Sequence, residues 1–391
     1  MRSSTLLVCL ILFVLGPLQP VRSEESVEVC PPIVEIPLFY ATDRERITSN
    51  QDPSGSQISE LSVGTGRAYL PLQSEWLNSG TSDLQPFAQS LNWKLNKERT
   101  TLKPFIEVRG YVAEPQPEKV ISIDKNETDF WTDLKSAVSA TPGKALYVYI
   151  HGFASSGNNA VYSAGILSAN LRSPVVAFTW PSAGTAGLRP LRLVGRKRMR
   201  AMYLADREMI DRPQVQRDLA KFISDAQSRL ADDCKICLVA HSLGNRLMAK
   251  YLASAEMTKL DSVYFLAADV DENLFMSTLP NLRARVRYTA IYTNPGDRVL
   301  KISGANDLLS MKVTKKVGNA SFSVPGIEFV DYRKIAMPDS IEYLKVRHYV
   351  PFEHFGSIVR TGVPAKSIDG SDEYYLVRRT SIERHSKRKS N

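Results

Sequence analysis

Ala240-His241-Ser242-Leu243-Gly244 is the stretch whose reading decides the fold. It closes an apolar run, Ile236-Cys237-Leu238-Val239, and a helix-like segment, Asn245 to Ala253, follows it. Strand, sharp turn with a serine at its apex, then helix is the arrangement of a nucleophile elbow. A serine held in so strained a turn needs small residues two positions before and two after it. Ala240 and Gly244 meet that need, with Ala in place of the commoner Gly. A five-residue pattern this loose carries little by itself, so the flanks decide its weight.

Upstream, Ala145-Leu146-Tyr147-Val148-Tyr149-Ile150 reads as a buried strand running straight into His151-Gly152-Phe153. A His-Gly turn after such a strand is where this architecture places an oxyanion hole. The two donors would be the backbone N–H groups of Phe153 and of Leu243, the residue after the serine. A glycine-containing turn also follows many ordinary strands, but here a strand–helix unit separates it from the elbow.

The rest of the chain alternates in the same way. Thr128 to Val138, Asn158 to Leu171 and Asp211 to Leu230 have apolar residues at helical spacing. Strands are expected at 33–44, 105–112, 175–180, 262–268 and 284–292. Alternating strand and helix implies a mostly parallel sheet covered by helices on both faces, an α/β class. Residues 49–100, rich in Ser, Gly, Asn and Asp, read as loops with short strands, and no internal repeat is present.

The termini differ from this body. Arg2, the apolar run Leu6 to Leu18 and the small-residue site before Glu24 have the layout of a signal peptide over residues 1–23. Export to the periplasm or outside the cell is therefore expected. The run is shorter than the ~20 residues of a membrane span, so no stable span is expected after cleavage. The formal charge of +9 is uneven: residues 378–391 carry +5, Arg2 and Arg22 add +2, and the body keeps about +2. The basicity belongs largely to a tail, 377–391, expected to be disordered, and argues against a nucleic-acid partner. Residues 24–140 are read as an N-terminal extension packed on a catalytic core, 141–376. Of the four cysteines Cys9 leaves with the signal segment; a Cys30–Cys234 disulfide is open, and Cys237 reads as a buried strand residue.

An elbow serine needs a base and an acid, in chain order serine, acid, histidine. Arg287 to Tyr292 ends in Thr293-Asn294-Pro295-Gly296-Asp297, which puts Asp297 in a loop after a parallel strand. Asp269 and Asp271, one strand earlier, are the rivals. Of five histidines, His151 and His241 lie inside motifs and His385 in the tail, leaving His348 and His354. The last helix is expected to begin near Ile358-Val359-Arg360. His348 leaves a loop of about ten residues before it and His354 almost none, so His348 is preferred and His354 is the alternative base.

Five motifs together carry a family resemblance: Phe39-Tyr40-Ala41-Thr42-Asp43-Arg44, Ile150-His151-Gly152-Phe153, Phe178-Thr179-Trp180-Pro181-Ser182, Tyr203-Leu204-Ala205-Asp206-Arg207-Glu208, and the elbow extended to Asn245-Arg246. In order and spacing, from about residue 33 to 365, they resemble the poorly characterised esterase/lipase-like α/β hydrolases found widely in bacteria. The resemblance implies the α/β-hydrolase fold, a Ser242–His348–Asp297 triad and esterase-like activity; a small-molecule or lipid ester is the substrate expected for such a triad. The triad chemistry needs no cofactor or metal, and the resemblance names neither the substrate nor the oligomeric state. The chain departs from the family at Ala186 to Met202, a basic insertion. Arg192, Arg196 and Arg200 there are candidate contacts to an anionic substrate group, or else a solvated face. A catalytically silent scaffold acting as a secreted binding protein is the alternative to an enzyme.

Overall fold

The computed structural model describes residues 33–44, 58–71, 94–96, 120–123, 127–182, 196–307, 315–319, 324–332, 348, 350, 352–361 and 377–378. Their strands are β1 (Ile33–Arg44), β2 (Ile58–Pro71), β3 (Lys94–Asn96), β4 (Val120–Ile123), β5 (Ala145–Ile150), β6 (Val175–Thr179), β7 (Lys235–His241), β8 (Leu260–Leu266), β9 (Val286–Thr293), β10 (Glu328–Asp331) and β11 (Val377–Arg378). The helices are α1 (Glu127–Ser139), α2 (Gly157–Leu171), α3 (Arg196–Asp211), α4 (Pro213–Arg229), α5 (Gly244–Ala253), α6 (Glu272–Arg285), α7 (Arg298–Asp307) and α8 (Phe352–Thr361).

All the strands join one sheet in the order β11-β10-β9-β8-β7-β5-β6-β1-β2-β4, with β3 paired to β1. From β10 to β1 every neighbouring pair is parallel. The unbroken apolar runs are explained by this placement. Every residue of β5 and of β6 is buried, as strands covered on both faces must be. Leu146, Val148 and Ile150 are wholly buried, each contributing ~1.5–3 kcal/mol relative to exposure.

The order of connection fixes the faces. From β5 to β6 the chain steps one way along the sheet; from β6 through β7, β8 and β9 it steps the other way. Right-handed crossovers then put α2 on one face and α4, α5 and α6 on the other. The reversal lies between β5 and β7, whose ends are in register, Ile150 beside Ala240. The crevice at the carboxyl ends of strands flanking such a reversal is where open α/β sheets bind ligands. His151-Gly152 and His241-Ser242 both stand there.

Several elements differ from the sequence reading. The segment read as an extension on the core supplies β1 to β4 to the sheet itself, with β1 parallel to β6 and antiparallel to β2. The helix expected from Asp211 to Leu230 is α4, which opens at Pro213; a separate helix, α3, precedes it and stops at Asp211, because Pro213 lacks the N–H to continue it. The C-terminal part of the basic insertion is thus the start of α3. The last helix begins at Phe352, six residues before Ile358. Its Gly356 is needed because a Cβ would lie 2.5 Å from the Asn170 carbonyl oxygen of α2. Val377 and Arg378, assigned to the tail, pair with Val330 and Asp331 at the sheet edge. The segments 1–23, 105–112 and 379–391, with Cys30, lie outside the described residues. Cys237 is buried and Cys234 half-buried, and neither is in a disulfide among the described residues. No helix of the described residues is long and apolar enough to cross a membrane.

Candidate active site

Ser242 follows the last residue of β7 with φ 52°. The left-handed conformation costs a non-glycine residue about 1–2 kcal/mol, and four hydrogen bonds to its own backbone offset it. Its N–H donates to the Leu266 carbonyl at 3.0 Å. Its carbonyl accepts from the N–H groups of Asn245 and Asp269, both at 3.1 Å, and from Asn245 Nδ2 at 3.0 Å. The small residue two positions on has a measurable reason. A Cβ on Gly244 would sit 2.3 Å from the His151 carbonyl oxygen and 2.5 Å from that of Ile150. The first turn of α5 therefore lies directly against the end of β5.

His348 and Asp297 converge on this serine. His348 Nε2 is 2.8 Å from Ser242 Oγ and its Nδ1 is 2.7 Å from Asp297 Oδ2. An ionised carboxylate only accepts, so Nδ1 carries the proton and Nε2 offers its lone pair to the serine hydroxyl. Asp297 is completely buried and held by its own turn. Its N–H donates to the Asn294 carbonyl at 2.9 Å, and its Oδ1 accepts from the Leu300 N–H at 3.0 Å. That second bond makes Asp297 the side-chain cap of α7, where the helix dipole favours its negative charge. His241 packs beside His348 with ring centres 5.2 Å apart. Burial, then the neighbouring His348, pushes His241 down to about 3, so it stays neutral beside its neighbour. His354, the other candidate, lies buried in the first turn of α8. Among the described residues no hydrogen bond joins it to Ser242 or Asp297.

Two peptide planes beside the serine are rigidly aimed. The N–H and C=O of a trans peptide point in opposite directions. Three donors hold the Ser242 carbonyl, so the Leu243 N–H is turned the other way. The Gly152 carbonyl lies 2.9 Å from His151 Nδ1, which orients the Phe153 N–H in the same manner. His151 Nε2 lies 3.2 Å from both Arg44 Nη2 and the Trp180 carbonyl; the guanidinium can only donate, so with Arg44 as its partner Nε2 accepts and Nδ1 donates to Gly152. Burial, then the Arg44 charge, pushes His151 down to about 3, keeping that neutral tautomer. Among the described residues neither Phe153 N–H nor Leu243 N–H has an acceptor. Gly152 approaches so closely that a Cβ there would be 2.9 Å from Ser242 Cβ. Two free amides beside a hydroxyl can hold a developing oxyanion.

The rival acids serve elsewhere. Asp269 Oδ2 accepts the Tyr203 hydroxyl at 2.7 Å, and Ser303 Oγ lies 2.8 Å from Asp269 Oδ1. Lys316, almost wholly buried, pairs with Asp269 at 3.0 Å and Asp271 at 2.7 Å. Burial alone would raise the Asp269 carboxyl, but Lys316 and these hydrogen bonds hold it below its ordinary value. Asp271 also meets Arg246 at 3.2 Å. Neither carboxylate is hydrogen-bonded to His348. Among the substrate-contact candidates, Arg192 lies outside the described residues, Arg196 opens α3, and Arg200 is half-buried on it. Asn245 and Asp206 were motif residues without a role in the sequence reading. Asn245 is wholly buried and pins the elbow to Leu266; its place directly after Gly244 was the available signal.

The arrangement can activate a hydroxyl for attack on a carbonyl and shelter the resulting oxyanion. Comparison with curated proteins finds no match. A family model described as an alpha/beta hydrolase of unknown function (DUF900) matches residues 126–349, a segment that holds Ser242, Asp297 and His348. That match spans more than half of the 391 residues, and with the parallel sheet and the elbow at its reversal it places the chain in this family of α/β hydrolases of unknown function.

Proposed function

We propose that the protein is a serine hydrolase that cleaves carboxylic esters or related acyl bonds through an acyl-enzyme. The observation carrying this reading is the continuous relay from Ser242 Oγ through His348 to Asp297, with contacts of 2.8 and 2.7 Å. His348 Nε2 takes the hydroxyl proton as Ser242 attacks the carbonyl carbon. Asp297 keeps the imidazole in the tautomer that can accept it and stabilises the imidazolium. The Phe153 and Leu243 amides bind the oxygen that becomes negative. Collapse of the tetrahedral species expels the alcohol, protonated by His348. Water then attacks the acyl-enzyme by the same route and frees the acid. The signal layout of residues 1–23 supports action outside the cytoplasm.

Hydrolysis of short p-nitrophenyl esters by the purified protein and by Ser242→Ala tests the reading. Turnover by the wild type with a burst of nitrophenol, lost in the variant, supports it. Equal rates for the two proteins reject Ser242 as nucleophile, and no turnover of any activated ester favours the silent scaffold.

A further inference from the structure

Helix α3 reaches over the carboxyl ends of the strands and grips the loops on both sides of Ser242. Asp206, 1% exposed, points its carboxylate at the loop after β5. Its Oδ2 accepts the Ala154 N–H at 3.1 Å and the Ser182 hydroxyl at 2.6 Å. Ala154 follows Phe153 directly and has φ 54°, a conformation that a non-glycine side chain keeps only where its surroundings hold it. One turn back on the same helix, Tyr203 packs edge-on against the Phe153 ring, centroids 5.7 Å apart. Its hydroxyl donates to Asp269, whose own N–H donates to the Ser242 carbonyl.

We propose that Asp206 is a positioning residue of the oxyanion hole, holding the strained Ala154 turn so that the Phe153 amide stays aimed at the acyl oxygen. The inference rests on the hydrolase reading. Phe153 is fixed from both sides: His151 orients the peptide before it and Asp206 the peptide after it. Removing the carboxylate leaves the half-buried Ala154 N–H without this acceptor and the left-handed turn without its side-chain anchor. The turn then relaxes, and the Phe153 N–H rotates with it. Asp206 touches no reacting atom, so its effect falls on the transition state rather than on substrate binding.

Asp206→Ala, Asp206→Asn and Asp206→Leu are compared with wild type on a p-nitrophenyl ester and on its thiono analogue, with melting curves for each. Sulfur accepts hydrogen bonds poorly, so the thiono ester gains little from the hole, and the oxo-to-thiono rate ratio reports the hole itself. Asp206→Ala is expected to lower kcat on the oxo ester by up to ~10²–10³-fold, as loss of one oxyanion donor does, with KM little changed and the ratio reduced. Asp206→Asn keeps an oxygen for both donors and recovers most of the rate. A folded Asp206→Ala whose ratio equals that of wild type overturns the proposal, even if both rates fall together. Where Asp206→Ala does not fold, Asp206→Leu, which fills the space without offering an acceptor, decides: a reduced ratio supports the proposal and an unchanged one overturns it. Failure of the hydrolase reading has a different signature, wild type and Ser242→Ala behaving alike, and the proposal falls with it.

Discussion

Replacing Asp297 by Asn isolates the tautomer argument from the fold. In the native site each carboxylate oxygen has its own donor, the Leu300 N–H at Oδ1 and His348 Nδ1 at Oδ2. An asparagine is nearly the same size but has only one acceptor. If its oxygen keeps the helix cap, its NH2 faces His348 Nδ1, which must then accept. The imidazole proton moves to Nε2 and is donated to Ser242 Oγ, so no lone pair remains to take the hydroxyl proton. The opposite orientation sets the NH2 against the Leu300 N–H in a fully buried site, an unsatisfied contact costing about 1–3 kcal/mol. The first orientation is favoured. The expected loss in kcat/KM is ~10⁴-fold, or about 5.5 kcal/mol of transition-state stabilisation. Steady-state kinetics on a p-nitrophenyl ester give the rate, and thermal melting gives the fold, which should stay close to wild type. A folded variant within about tenfold of wild type would refute the assignment of acid and tautomer together.

Further expectations follow from other parts of the molecule. Gly244→Ala places a Cβ 2.3 Å from the His151 carbonyl oxygen, which costs about 1–3 kcal/mol of overpacking and lowers Tm by roughly 1–4 °C; an unchanged Tm contradicts the close approach of α5 to β5. His348→Ala should lower turnover by orders of magnitude and His354→Ala far less, and the reverse ranking would move the base into α8. Asp43 is fully buried, and its carboxylate oxygens have no hydrogen-bond partner among the described residues. Burial, then Asp218, raises its carboxyl from 3.8 to about 8. Between those values the native carboxyl holds its proton while the unfolded one does not, so its contribution falls as pH rises from about 4 to about 8. Asp43→Asn should therefore match wild type near pH 4 and melt progressively higher toward pH 8; a constant difference across that range contradicts it.

The parts of the molecule that were legible in the sequence are those governed by local rules. The elbow is a steric statement about Ala240, Ser242 and Gly244, and the structure supplies the carbonyls that a side chain at Gly244 would strike. Asp297 could be read because a loop after a parallel strand opens on the site, and His348 because few histidines remained. The loop between His348 and the last helix, which begins at Phe352, is nevertheless shorter than expected. Phe352, Phe355 and Ile358, all buried at helical spacing, carry the earlier start of α8. Contacts distant in sequence were not legible. No periodicity shows that β1 would join the sheet beside β6, or that Asp206 would cap a loop 52 residues before it. Asp269 resembled a catalytic acid in sequence because its buried partner, Lys316, comes from a distant segment.

The most direct measurement of the central claim is labelling of the native protein with a fluorophosphonate, followed by mass spectrometry of the digested chain. An activated serine attacks phosphorus and keeps the phosphonyl group, whereas an ordinary surface serine does not. The account predicts one adduct, on the peptide containing Ser242, blocked by prior unfolding and absent from Ser242→Ala. A folded wild-type protein that takes up no label, or takes it up on another residue, contradicts the account.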